Sequence, residues 1–246
     1  MPTGRPTGRG LGVTAVPQTT DRAAALTAAA RSALDAVRDP ELDEPVTDLG
    51  FVGECSVDGR GRATIRLRLP TYFCAPNFAF LMVADAYDAV TAVEGVAHAD
   101  VALIDHFASD EINAGVAAEA GFSSSFDGLA EGELEELRAQ FLRKAVLAGT
   151  DRVCRPLLAA GSTPEALAAL TLGSAPPSGD LDRLRSRRAE LGLAAGDGDP
   201  LVIDPTGSAV GLEALPLHLR RARTTRVSIE ANAGYCRGLL AQRYGS

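Results

Sequence analysis

Apolar residues recur through residues 21–37 at Ala25, Leu26, Ala30, Ala33, Leu34 and Val37. That spacing predicts a helix with one buried face, and Thr20 is placed to cap its start. Pro40 closes it, so residues 39–45 form an irregular, acidic connection. Residues 46–57 read as a turn at Asp48, Leu49 and Gly50 followed by a strand, and Asp58, Gly59, Arg60 and Gly61 carry a strong hairpin signal. Ala63, Ile65, Leu67 and Leu69 then alternate with Thr64, Arg66 and Arg68, which predicts a strand with one buried and one wet face. Residues 77–93 are helical on a stripe of Phe78, Leu81, Met82, Ala86, Val90 and Val93. Gly95 ends that helix, and residues 96–104 supply a third strand with Val96, Val101, Leu103 and Ile104 facing the core.

The order helix, hairpin, helix, strand over some 85 residues is that of a small two-layer α+β domain. Beyond Phe107 the pattern becomes helical. A polar, Ser-rich stretch at residues 121–128 marks a boundary, and helices are expected at 129–149, 152–160, 163–172 and 180–191. Residues 201–207 read as a short strand and turn, and the last stretch is helical. The expected organisation is a disordered tail at 1–19, an α+β domain at 20–108, a linker at 109–128 and a mostly α-helical C-terminal domain at 129–246.

Charge narrows the range of partners. A formal net charge of −8 in 246 residues, with no Trp and eight Phe, excludes a basic duplex-binding face and leaves few rings for stacking single strands. No nucleic acid is expected as a partner. No apolar run approaches membrane-spanning length, so no membrane is expected either, and the protein is read as cytoplasmic. Cys55, Cys74, Cys154 and Cys236 are widely spaced, which indicates reduced thiols rather than a zinc ribbon or a disulfide framework.

Among these thiols Cys74 stands out, because it falls between the second strand and the second helix. A sulfur at a helix start feels the partial positive charge of unpaired N–H groups, which favours the thiolate that binds metal or attacks an electrophile. In this layout the acidic connection after the first helix can approach the same loop. Cys154 and Cys236 sit in echoing segments, Cys-Arg-Pro-Leu-Leu-Ala and Cys-Arg-Gly-Leu-Leu-Ala, and are candidates to converge on Cys74 or on each other as metal ligands. His106 ends the third strand with Asp110 and Glu111 close behind, and adds an imidazole that suits ferrous iron.

Asp39-Pro40-Glu41 after the first helix, Asp48-Leu49-Gly50 before the hairpin and Thr71-Tyr72-Phe73-Cys74 before the second helix form an ordered set. Together they resemble the PaaD and SufT family of metal–sulfur cluster assembly factors, over about residues 23–107. The resemblance implies a non-enzymatic accessory protein that transiently binds iron or an iron–sulfur cluster and delivers it to a client metalloenzyme or another assembly factor. It also implies that Cys74, Asp39, Glu41, Asp48 and Thr71 are the site residues. Longer members resemble proteins that accompany multicomponent monooxygenases, which makes a diiron hydroxylase the expected client. This sequence departs from the family in one place, where Ala75 separates Cys74 from Pro76. One thiol cannot hold a cluster alone. The missing ligands would come from a symmetric homodimer, a client or elsewhere in the chain. Two other readings are a thiol enzyme with Cys74 as nucleophile and His106 or Glu41 as base, and a metal-free scaffold.

Overall fold

The structure, a computed structural model, describes residues 18–118 and 133–245. The expected tail and the Ser-rich boundary lie outside the described residues. Helix α1 (Gln18–Leu34) turns Leu26, Ala30 and Leu34 into the core. It begins before Thr20, which is therefore inside the helix and not its cap. It ends before Val37, because Asp35, Ala36 and Val37 tighten into turn bonds to the carbonyls three residues back. The acidic connection is more ordered than expected: β1 (Arg38–Asp39) and β2 (Glu44–Pro45) pair antiparallel, and Asp43 between them takes a left-handed conformation with φ 52°.

Strands β3 (Val52–Val57) and β4 (Arg62–Arg68) form the hairpin, and β5 (His98–Ile104) pairs parallel to β4, giving the sheet order β3-β4-β5. A parallel neighbour needs a crossover, and α2 (Pro76–Thr91) provides it. Ala63, Ile65 and Leu67 point inward and their neighbours outward, as the alternation requires. Burying each large aliphatic side chain contributes about 1.5–3 kcal/mol. Gly61 is obligatory in the turn: its φ is 79°, and a Cβ there would lie 2.2 Å from the Gly95 carbonyl oxygen.

Residues 109–117, read from the sequence as linker, form helix α3 (Ser109–Ala117), which buries Ile112 and Val116 against the first core. A short helix with two buried aliphatics is part of the domain it covers. Beyond residue 132, α4 (Glu133–Ala159) runs through the expected break near residue 150. A Cβ on Gly149 would lie 3.3 Å from Leu184 Cδ1, so glycine there allows Leu184 to approach closely, and Thr150 Oγ1 donates to the Val146 carbonyl at 2.9 Å, so neither residue ends the helix. Helix α5 (Pro164–Ala169) is capped by Thr163, α6 (Gly179–Glu190) by Ser178, and α7 (Leu215–Tyr244) closes the described chain.

A second core gathers Val153, Cys154, Leu167, Leu172, Leu184 and Leu201. The fold is α+β, a small two-layer unit followed by a mostly helical region. Helix α7 joins the two, since its start, Leu215, lies in the second core while Ala233 and Leu240 lie in the first.

Candidate functional site

The turn between β4 and α2 carries Cys74, and the backbone there is fixed from two sides. The Phe107 N–H donates to the Tyr72 carbonyl at 3.2 Å, and His106 Nε2 lies 2.7 Å from the Cys74 carbonyl oxygen. His106 Nδ1 accepts from the Ala108 N–H at 3.2 Å, which puts the ring proton on Nε2 and makes it the donor to Cys74. Both nitrogens are thus engaged, and the ring is only 3% exposed. His106 is therefore a group that holds the Cys74 loop in place, not a free ligand or base.

Cys74 itself is half-buried. Ala75 is the cap residue of α2 and Pro76 opens the helix, so Cys74 stands before the first turn and not within it. Its sulfur lies 3.3 Å from Thr71 Oγ1 instead of capping the helix. That hydroxyl accepts from the Phe73 N–H at 3.3 Å, which leaves its proton free to point at the sulfur. Ala75 takes the cap position, and the thiol lies in the turn before it, beside Thr71.

The acidic loop is built around Asp39. Its Oδ1 accepts from the N–H groups of Glu41 and Leu42 at 2.8 and 2.9 Å. Burial pushes its carboxyl up to about 6, against the lowering by those two hydrogen bonds, and Glu41 and Glu44 add to the rise. Asp43, also buried, takes the Arg187 Nε at 2.6 Å, so α6 anchors the loop from behind. Asp48 is exposed on the turn before Gly50, and no described contact joins it to Cys74.

Helix α7 lies across this loop, which the sequence did not announce. Asn232 Nδ2 donates to Glu41 Oε1 at 3.4 Å and Arg237 pairs with Glu44. Leu240 Cδ2 would lie 3.1 Å from a Cβ placed on Gly50. Arg243 donates to the Leu69 carbonyl at 3.1 Å and to the Asp105 carbonyl at 2.5 Å. Cys236 is half-buried on the same helix, and both it and Cys74 pack against the first core. Burial pushes the Cys236 thiol up to about 11, and Asp39, Cys74 and Glu41 add to that rise. Of the two echoing cysteines, then, Cys236 reaches the electrostatic neighbourhood of Cys74. Cys154 does not: it is fully buried in the second core, and its thiol is pushed up to about 12.

Three exposed rings surround the Cys74 turn. Tyr72 and Phe73 meet edge to face at 5.1 Å between centroids, and Phe107 stands 6.3 and 6.2 Å from them. Phe73 is 78% exposed. Two of these rings adjoin Cys74 in the sequence, a signal that could have flagged the patch. The contacts of α7 had no such signal.

Among the described residues no three His, Cys, Asp or Glu side chains converge as a ready-made metal site, and no helix is long and apolar enough to cross a membrane. The donor set nevertheless suits iron, with thiols for the soft ligands and carboxylates nearby.

Residues 27–101 match the model of a family described as iron-sulfur cluster assembly protein. The match covers Asp39, Glu41, Asp48, Thr71 and Cys74, and ends before His106 and the whole helical region. It supports that general family for the N-terminal region and a role in iron–sulfur assembly or maturation. Comparison with curated proteins and with solved structures gives no significant match.

Proposed function

We propose that this protein is a non-enzymatic maturation factor of the PaaD and SufT type that takes up iron or an iron–sulfur cluster at Cys74 and hands it to a client metalloenzyme in the cytoplasm. The observation that carries this reading is the Cys74 turn itself. Within the segment that matches the assembly family, a half-buried thiol is held in its turn by Thr71, and its backbone by His106.

Each part has a task. The Thr71 hydroxyl orients the sulfur, and the His106 ring fixes the backbone that carries it. Asp39 shapes the loop through its two backbone hydrogen bonds, while Glu41, less buried, is free to approach a cation with its second oxygen. A loop with few committed ligands binds cargo loosely enough to release it. The exposed rings of Tyr72, Phe73 and Phe107 give a client a surface to meet at the point of transfer. A diiron monooxygenase is the client that the likeness to longer family members favours.

The test is anaerobic reconstitution with ferric iron and sulfide, followed by visible absorption and then mixing with a plant-type apo-ferredoxin. Wild-type protein should acquire a chromophore that passes to the ferredoxin, and Cys74→Ala should acquire none. Equal spectra for the two proteins would overturn the proposal.

A further inference from the structure

A cleft of about 210 Å³ opens where the loop that follows α1 meets α2, α4 and α6. That is several times the roughly 30 Å³ that one water occupies. One wall is charged, with Arg38, Asp39 and Asp43 on the loop and Arg187 on α6. The other is apolar, with Leu81 on α2 and Phe141 and Leu142 on α4. The polar atoms of the charged wall are not all used. Arg187 donates through Nε to Asp43 Oδ1 at 2.6 Å and pairs through Nη1 with Glu190, while its Nη2 has no partner in the protein. Asp43 Oδ2 has none either. Both residues are only 5% exposed, and an unpaired polar atom is costly at such depth.

These two atoms set the chemistry of an occupant. Nη2 needs an acceptor, and Oδ2 needs a donor. The charges lining the cleft narrow the choice further. Arg138 and Asp85 neutralise each other through hydrogen bonds at 2.7 and 2.9 Å, which leaves Arg38 and Arg187 facing Asp39, Asp43 and Glu190. A simple anion would serve Arg187 but add to the excess of carboxylates. A simple cation would relieve that excess but leave Nη2 unpaired. One small molecule that carries both charges, with an apolar part for the opposite wall, answers all three demands.

We propose that this cleft binds a zwitterionic α-amino acid with an apolar side chain. Its carboxylate accepts from Arg187 Nη2, its ammonium group donates to Asp43 Oδ2, and its side chain lies against Leu81, Phe141 and Leu142. Bound there, the ligand ties the loop of Asp39 and Glu41 to α4 and α6. The site is separate from Cys74, and neither reading depends on the other.

The test is isothermal titration of the full-length protein with L-leucine, L-methionine and L-valine. Leucinamide and N-acetyl-L-leucine, each lacking one of the two charges, serve as controls. At least one of the three amino acids should bind at a single site per chain. Both controls should bind about ten- to a hundredfold more weakly than leucine, the loss expected for one charge-assisted hydrogen bond. Arg187→Lys keeps a cation beside Asp43 but lacks the spare N–H group, and should weaken amino-acid binding by a similar factor. Leu142→Trp fills the cleft from its half-buried wall and should abolish binding. Circular dichroism checks the fold of each variant, and Leu142→Trp alone carries the test if Arg187→Lys unfolds. Absence of binding by all three amino acids, controls that bind as tightly as leucine, or folded variants that bind unchanged would each overturn the proposal.

Discussion

The two hydrophobic cores treat near-identical sequence in opposite ways. Cys154-Arg155-Pro156-Leu157-Leu158-Ala159 buries its cysteine completely among Val153, Leu167 and Leu184, whereas Cys236-Arg237-Gly238-Leu239-Leu240-Ala241 leaves its cysteine half-buried against the first core. The first is a small apolar side chain that fills space. The second stands where a helix crosses an acidic loop, held there at Glu41 and Glu44. The echo carries no chemistry of its own; what each helix face meets decides the role of the sulfur.

The sharpest way to break this contrast is to separate the two regions where α6 grips the acidic loop. Arg187→Ala leaves the buried Asp43 carboxylate with only Arg38, 3.8 Å away, and should cost about 3 kcal/mol, read from urea denaturation, with the Asp39–Glu44 loop as the first region to gain amide exchange. Asp39 gives a pH test. Its folded-state carboxyl is raised to about 6 from 3.8, so the folded protein holds the proton more tightly than the unfolded chain. The contribution of Asp39 to stability is therefore fully present below about pH 4, is lost as pH rises through about 6, and amounts to roughly 3 kcal/mol. Asp39→Asn keeps the oxygen that accepts the two N–H groups. It should flatten that slope in denaturation curves and be the more stable protein at pH 8.

Leu240→Ala loosens α7 over the site and should cost about 2–3 kcal/mol in the same assay. It should also speed alkylation of Cys236. The smallest effect is expected from alkylating the native protein. Cys154, sealed and raised to about 12, should react only on unfolding. Cys236, raised to about 11, should react slowly, about tenfold faster per pH unit below that value, as judged by mass spectrometry of peptides.

Much of the N-terminal unit was legible because its signals are local. The alternation at Ala63, Ile65 and Leu67 specifies a face, and the turn residues at 58–61 specify the hairpin. The same holds for Cys74, whose place between strand and helix follows from the elements on either side. The break expected near residue 150 failed because Gly149 and Thr150 weaken an isolated helix, whereas here they pack or hydrogen-bond within a longer one. His106 illustrates a different limit. Its nearby carboxylates suggested a ligand, but its partners are backbone groups of Cys74 and Ala108, which sequence does not reveal. The docking of α7 on Gly50 and Glu41 depends on contacts between residues nearly two hundred positions apart, and the Cys-Arg echo marked Cys154 and Cys236 equally.

The most direct test of the central claim is the iron and acid-labile sulfide retained per chain after anaerobic reconstitution and desalting, in wild-type protein and in Cys74→Ala. The account predicts bound iron in the first and a near-complete loss in the second, with circular dichroism unchanged. Equal retention in both proteins would contradict it.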